Sequence, residues 1–464
     1  MKYSILFFSF LCLCITFYSH GQSLEDSTTI DQIIILGNRK TKPQVILNEL
    51  GIKKGQKIPN SAMEKSLETA SKRLINTQLF QSASIMEDPL SPGVSDLIIR
   101  VKERWYIYPL PIFSLGDRNF NDWIENQGAS FQRVNFGLNL RHQNFRGYNE
   151  KVNLILQFGF THRYKLSYYK PYLNKKGNLS LDTDIEYQNR RNIAYQTVDR
   201  RQVFIEGENR RLLQSFKASV GLNLRKDLDT KHGVYIFGEH VQVQDTIISL
   251  NPNFLSGNNR QMKYFGINYN FQKDKRDIRY YPISGYFLLL SASQSGIGIF
   301  NELSQTEISG QLKKYFKINQ SYSYSFELGG YYTFQHDQPY YLRKGIGFNP
   351  LIMRGFEKYV VQGPTQALLK NDFRWLLLSK SFQQDYVDLY EFEDFFFDLY
   401  FKIIFDVGYV QAFEGEKSDL NDKILYSGGV GVDFVTWYDI VIGTAVTYNS
   451  LSEFNWSLNV KASF

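Results

Sequence analysis

The tetrapeptide Met353-Arg354-Gly355-Phe356 lies shortly ahead of two runs that carry Asp372 and Asp406. A guanidinium keeps its charge at any biological pH, so an arginine folded into a narrow space needs carboxylate partners. Read as an extended strand, 365–380 puts Lys370, Asp372 and Arg374 on one face and Phe373 and Trp375 on the other. The run 395–411 likewise sets Asp398, Lys402 and Asp406 against Phe397, Leu399, Phe401 and Phe405. Both aspartates then point to one side, where Arg354 can reach them. Gly355 permits a tight turn beside a wall, and Phe356 can wedge the tip. The chemistry on offer is bracing by charge, with no bond made or broken. A lone Arg-Gly-Phe is commonly a surface arginine in an exposed loop, so position must give this triplet its weight.

Other chemistries find little support. No G-x-S-x-G, H-E-x-x-H, phosphate loop or G-x-G-x-x-G in its strand-helix context occurs, and the six histidines are scattered. A lipase on a barrel rim would need a Ser/His pair that no motif marks. The expectation is therefore no enzyme and no cofactor. Cys12 and Cys14 are the two cysteines, both near the N-terminus, so no disulfide, thiol nucleophile or cysteine metal site is expected in the mature chain. Asp385, Asp388, Glu391, Glu393 and Asp394 could mimic a cation site, but their aromatic neighbours favour a turn near a membrane surface, and no metal is expected. With 53 basic against 46 acidic side chains, the net charge of +7 gives no footprint for nucleic acid.

The elements that would position Arg354 follow from the pattern. Lys2, the apolar stretch from Ile5 to Tyr18 and the small Ser19 and Gly21 read as an export signal over 1–21, followed by a short linker at 22–27. No later run approaches the roughly 18 uncharged residues of a membrane helix, so any membrane part must be built of strands. The 37 Phe, 32 Tyr and 5 Trp would supply the aromatic girdles of such a barrel.

Residues 28–104 have the grammar of one small α/β module. A strand ends at Gly37-Asn38, Pro43 opens a helix that Gly51 closes, and Ser61 with Glu64 has capping-box spacing ahead of the stripe Met63, Leu67, Ala70 and Leu74. Two alternating strands follow, giving the order βααββ. From residue 105 to 464 the period is two, as in Val134, Phe136, Leu138 and Leu140 against Arg133, Asn135, Gly137 and Asn139. The candidate strands number one more than an even count, and 195–208, rich in Arg and Glu, is assigned to an outer loop. A transmembrane antiparallel β-barrel of sixteen strands remains. Its short turns would face one side, and its longest connection, 335–364, would be the sixth outer loop and fold inward with Arg354. At the end Trp456, Leu458, Val460, Ala462 and Phe464 alternate with Ser457, Asn459, Lys461 and Ser463, which suits a closing stave.

Gly37-Asn38 with Thr41 behind it, Leu79-Phe80 and Val101-Lys102-Glu103 resemble a POTRA domain, the periplasmic module ahead of an outer-membrane barrel. The Arg354-Gly355-Phe356 triplet, Asp274-Lys275-Arg276-Asp277 through Pro282 to Gly285, and Phe405-Asp406-Val407-Gly408 resemble the BamA/TamA family of outer-membrane insertases and related translocation pores. The resemblance covers nearly the whole mature chain, with a single POTRA domain. It implies that Arg354 meets Asp406 and Asp372, although the family's twelfth-strand acid is commonly Glu. It also implies a place in the bacterial outer membrane with the POTRA-like domain in the periplasm. Implied partners are unfolded outer-membrane or secreted clients, outer-membrane lipids, and periplasmic or lipoprotein accessory subunits. The expected function is protein insertion, assembly or translocation, with clients received by the POTRA-like domain and released at the seam between the first strand, near Trp105 to Leu115, and the last. Alternatives are a dedicated secretion pore, which usually has two POTRA domains and a plug helix, and a passive porin or scaffold.

Overall fold

The structure, a computed structural model, describes residues 26–115, 123–124, 128–206, 211–300, 302–347, 351–383, 394–414, 418–436 and 439–462. The export signal, most of the linker, the acidic residues 385–393 and Phe464 lie outside the described residues.

The N-terminal module runs β1 (Ser27–Leu36), α1 (Pro43–Leu50), β2 (Lys57–Pro59), α2 (Asn60–Asn76), β3 (Phe80–Ser91) and β4 (Val94–Glu103). Its sheet has the order β2-β1-β4-β3, with β1 parallel to β4. Val45, Ile46 and Leu50 of α1 and Met63, Ala70 and Leu74 of α2 pack on Ile30, Phe80, Leu97 and Ile99 in one buried core. Pro43 lies in the first turn of α1, and Gly51, with φ +74°, ends it. Two details differ from the sequence pattern. The strand β2 adds an element to βααββ, because three residues carry no legible period. The helix α2 begins at Asn60 with Pro59, which offers no side-chain cap, at its N-cap, so Ser61 lies inside the helix rather than at the cap position that a capping box requires. Pairing of Pro59 with Ser27 fixes the chain just ahead of the helix instead.

The rest of the described chain is almost all strand. It comprises β5 (Ile107–Leu115), β6 (Val134–Phe145), β7 (Glu150–Gly159), β8 (Thr161–Lys170), β9 (Leu179–Arg190), β10 (Asn192–Val198), β11 (Arg201–Glu206), β12 (Leu213–Arg225) and β13 (Thr230–Val243). After the short helix α3 (Asp245–Leu250) come β14 (Gln261–Asp274), β15 (Gly285–Ile297), β16 (Gln305–Lys317), β17 (Tyr322–Thr333), β18 (Gly345–Ile346) and β19 (Val361–Gln362). The chain ends with β20 (Thr365–Gln383), β21 (Asp394–Val410), β22 (Ile424–Thr436), β23 (Ile440–Asn449) and β24 (Phe454–Ala462).

Sixteen of these strands form one antiparallel sheet, from β5 to β24 by nearest neighbours. The hairpin β10–β11 stands apart from it, as does the pair β18–β19, so the Arg-rich segment 195–208 adds no stave. Along β12 the exposed Phe216, Val220, Leu222 and Leu224 face outward, while the buried Ser215 and Asn223 face in. An apolar exterior around a polar interior inverts a globule and fits lipid outside with water inside. The chain is a transmembrane β-barrel.

One buried ion pair locks module to barrel. Arg104, two residues before Tyr106, donates Nη1 to Asp439 Oδ2 at 2.9 Å and Nη2 to Oδ1 at 3.3 Å, with both side chains only 3% exposed. Asp439 lies just before β23, so the same contact brings the start of the first stave beside the start of the last hairpin at one end of the barrel. Elsewhere Arg225 holds Glu49 of α1 at 2.8 Å, and Thr41 Oγ1 meets both Tyr106 Oη at 2.8 Å and Asn144 Nδ2 at 2.9 Å. Asp439→Ala strands a buried guanidinium without its carboxylate and should weaken docking of the module by about 3–5 kcal/mol. Faster amide exchange throughout 28–104, with the heat-modifiable mobility of the barrel retained, is the expected result; unchanged exchange would refute it.

Candidate functional site: a loop braced inside the barrel

The connection between β17 and β20 folds against the inner wall. Arg354 donates its backbone N–H to Asp406 Oδ2 at 3.1 Å and Nε to the same oxygen at 2.9 Å, while Nη2 reaches Oδ1. Its Nη1 bonds Asp372, and Nη2 also reaches the carbonyl of Asn371 at 3.3 Å. Asp406 is fully buried. Two carboxylates from adjacent staves thus take one guanidinium, a geometry that a lysine could not reproduce because it lacks the planar fork. Asp372 also lies 3.6 Å from Arg374, which donates to Pro282 O at 3.0 Å and Ser325 Oγ at 3.1 Å.

The tip beyond Arg354 is held by the next strands along the same wall, β22 to β24. Gly355 has φ +83°, and a Cβ there would stand 3.0 Å from Ser427 Cβ and 3.2 Å from Thr447 Oγ1, so both its handedness and its closeness demand glycine. Its carbonyl accepts from Asn449 Nδ2 at 2.6 Å and Asn455 Nδ2 at 2.9 Å. Phe356 is fully buried in a cluster with Tyr331, Met353, Tyr359, Leu368 and Leu425. Tyr359 Oη donates to Glu453 at 2.6 Å, and Val360 N–H donates to the carbonyl of Arg200 in the hairpin β10–β11 at 2.8 Å. Glu357 accepts the Gly355 N–H at 2.8 Å. Burial pushes its carboxyl up to about 7, with Asp406 adding to the rise and backbone bonds and Arg354 opposing it.

The turn between β14 and β15 enters the opposite end of the lumen. Arg276 bonds Asp274 at 2.8 Å, Asp277 Oδ1 accepts Ile283 N–H at 3.2 Å, and Gly285, with φ +94°, would set a Cβ 2.0 Å from Lys275 O. Tyr281 lies under the Arg374 guanidinium at 4.8 Å and donates to Asp433 at 3.1 Å. Asn76, the last residue of α2, donates to Asp277 O at 3.0 Å and accepts from Arg279 N–H at 3.1 Å. Polar contacts therefore run without a gap from the module, through this turn and Arg374, to Asp372 and Arg354.

Two sequence families match this arrangement. Residues 28–104 match the surface antigen variable number repeat of the POTRA family, and 144–358 match the Omp85 superfamily domain. The chain carries an Omp85 superfamily domain behind a POTRA domain. Among solved structures, BamA from Haemophilus ducreyi lacking POTRA domains 1-3 is similar at 15% identity and TM-score 0.51, covering 94% of this chain and 84% of that one. CdiB from Escherichia coli is similar at 12% identity and TM-score 0.54, over 94% of this chain and 76% of that one. CdiB from Acinetobacter baumannii gives 14% and 0.53, over 94% and 73%. At these identities the likeness is one of fold. No curated protein sequence matches the chain.

The Omp85 barrel brings Arg354, Gly355 and Phe356 together with Asp406 and Asp372. It places Arg276, Asp277, Pro282 and Gly285 in the turn that meets the POTRA helix. Gly37, with φ +92°, ends β1 against Val101 O, and Asn38 Nδ2 donates to Thr41 O at 3.0 Å. Trp456, Leu458 and Val460 lie on the lipid face of β24, opposite the inward face from which Asn455 holds the loop tip. Sequence reasoning set Arg374 on the inward face but missed Arg104, Asp439, Asn449 and Asn455, since isolated polar residues in a polar lumen carry no periodic signal.

Two outcomes follow from this geometry. Arg354→Glu sets a third acid beside Asp372 and Asp406 and should release the loop at a cost of about 3–5 kcal/mol, read as lost amide protection over 353–360 in a barrel that still folds; full protection would exclude the brace. For Glu357, the docked loop holds its proton more tightly than a released loop does. Docking is therefore strongest below about 4.5, weakens as pH rises toward about 7 and is level above it. Exchange of 353–360 should accelerate across that window, and Glu357→Gln should flatten the profile.

Proposed function

We propose that this Omp85 barrel sits in the bacterial outer membrane with its POTRA domain in the periplasm and inserts unfolded client proteins into that membrane. The observation that carries this reading is the seam: β5 and β24 end the sixteen-stranded sheet and form no backbone ladder with each other among the described residues. A closed barrel leaves no strand edge, whereas this one keeps two at membrane depth, where an unpaired backbone seeks a partner strand. The POTRA sheet supports a receiving role, because β3, the longer of its two outer strands, offers an edge to an extended peptide. The residues Arg354, Asp406 and Asp372 brace the inner loop, and the turn at 276–285 couples it to the POTRA domain. A loop tied to five consecutive strands of the inner wall, β20 to β24, argues against a passive porin.

A dedicated secretion pore is the second reading, favoured by the likeness to the two CdiB structures over 94% of the chain. Depletion of the protein followed by an inventory of outer-membrane and secreted proteins separates the two. Insertion requires several outer-membrane barrels to fall together, whereas a secretion pore loses one secreted protein. An unchanged outer-membrane inventory would refute insertion.

A further inference from the structure

The two edges of the seam are not equivalent. Gln143 N–H donates to Tyr106 O at 2.7 Å, one position ahead of the Ile107–His142 partnership. In an antiparallel ladder each residue directs both its N–H and its C=O to the same neighbour, and direction alternates along the strand. The even positions of β5 therefore bond β6, and Ile107, Pro109, Pro111, Phe113 and Leu115 face the seam. Their side chains are the lipid-facing ones, with Phe113 exposed by 75%. Proline has no N–H. At the centre of its free edge, β5 can accept hydrogen bonds at Pro109 and Pro111 but cannot donate.

The edge of β24 is complete. Asn449 N–H donates to Glu453 O at 3.1 Å, one position outside the Tyr448–Phe454 partnership. By the same alternation the odd positions of β24 bond β23, and Phe454, Trp456, Leu458 and Val460 present both N–H and C=O to the seam. Trp456, Leu458 and Val460 are outward and exposed, so the strand that pairs here must be extended and must carry apolar side chains on its own outward face.

We infer that β24 is the edge that takes an incoming transmembrane strand, and that Pro109 and Pro111 keep β5 from claiming it. The occupant is a membrane-bound β-strand of a client, so the inference rests on the insertion reading. Proline is a common guard on natural sheet edges, and here it guards one edge of a pair. The guard leaves the β5–β6 ladder intact, because both prolines point away from it.

The test has a client-free and a client-dependent arm. The chain's two cysteines, Cys12 and Cys14, precede the POTRA domain, so engineered thiols in the barrel stand alone there. In the full-length chain, Leu458→Cys is combined in turn with Ile107→Cys, Phe113→Cys and Leu115→Cys, with and without Pro109→Thr and Pro111→Thr. Restored donors should let the strands zip into one register and raise the rate of one disulfide at least tenfold. Unchanged rates in a double variant that keeps heat-modifiable mobility overturn the inference; each single proline variant repeats the measurement if the double variant fails to fold. In the second arm a photoreactive side chain replaces Leu458 or Phe113, with an unfolded outer-membrane barrel protein as probe. Adducts at Leu458 should exceed those at Phe113 at least fivefold, and equal or reversed yields overturn the assignment of the edge. Zipping without adducts at either position refutes the insertion reading and leaves the guarded edge standing.

Discussion

At membrane depth there is no water to satisfy a backbone N–H or C=O, so a strand wall must close on itself or find another strand. Fifteen of the neighbour relations in this barrel obey that constraint with hydrogen-bonded ladders, three of them shifted in register at one point. The sixteenth is the seam. Much of the remaining structure can be understood as support for a wall that is not sealed: the Arg104–Asp439 pair holds the first stave beside the last hairpin at the POTRA end, and the inner loop holds the wall from within. Both supports use charge where a ladder is missing.

Charge is an economical brace only if it is fully matched. Arg354 is surrounded by two carboxylates and a carbonyl, and Asp406 has both oxygens engaged by the same residue. A half-satisfied network of this kind would be worse than an apolar one, because every unpaired member bears its full desolvation penalty. The loop is also tied to two parts of the barrel by different means, by ions at Asp372 and Asp406 and by amides at Asn449 and Asn455. Such redundancy gives the loop one position rather than several.

How much of this was legible in the sequence varied with the range of the signal. The barrel was readable because lipid and water on its two faces impose an alternation that every stave repeats, and the inward direction of Asp372 and Asp406 follows from that alternation alone. The hairpin β10–β11 imitates a stave in period, and its charge set it apart. The strand β2 is too short to show a period, and its pairing with β1 made a helix cap unnecessary at Ser61. Arg104 and Asp439 lie 335 positions apart, and nothing local marks either as the other's partner. Pro109 and Pro111 are a local signal, two residues apart in a strand-like run, yet their meaning depends on which way that strand's hydrogen bonds point.

The carbonyl of Gly355 accepts one amide from β23 side-chain Asn449 and one from β24 side-chain Asn455. A single oxygen atom on the inner loop is thus a rivet through both strands of the final hairpin. If β24 swings outward alone, the rivet must shear on one side; if the hairpin swings as a unit, the loop must travel with it. The wall therefore cannot part at its last strand without changing the load on Arg354, and the interior of the barrel carries a mechanical record of whether its side is open.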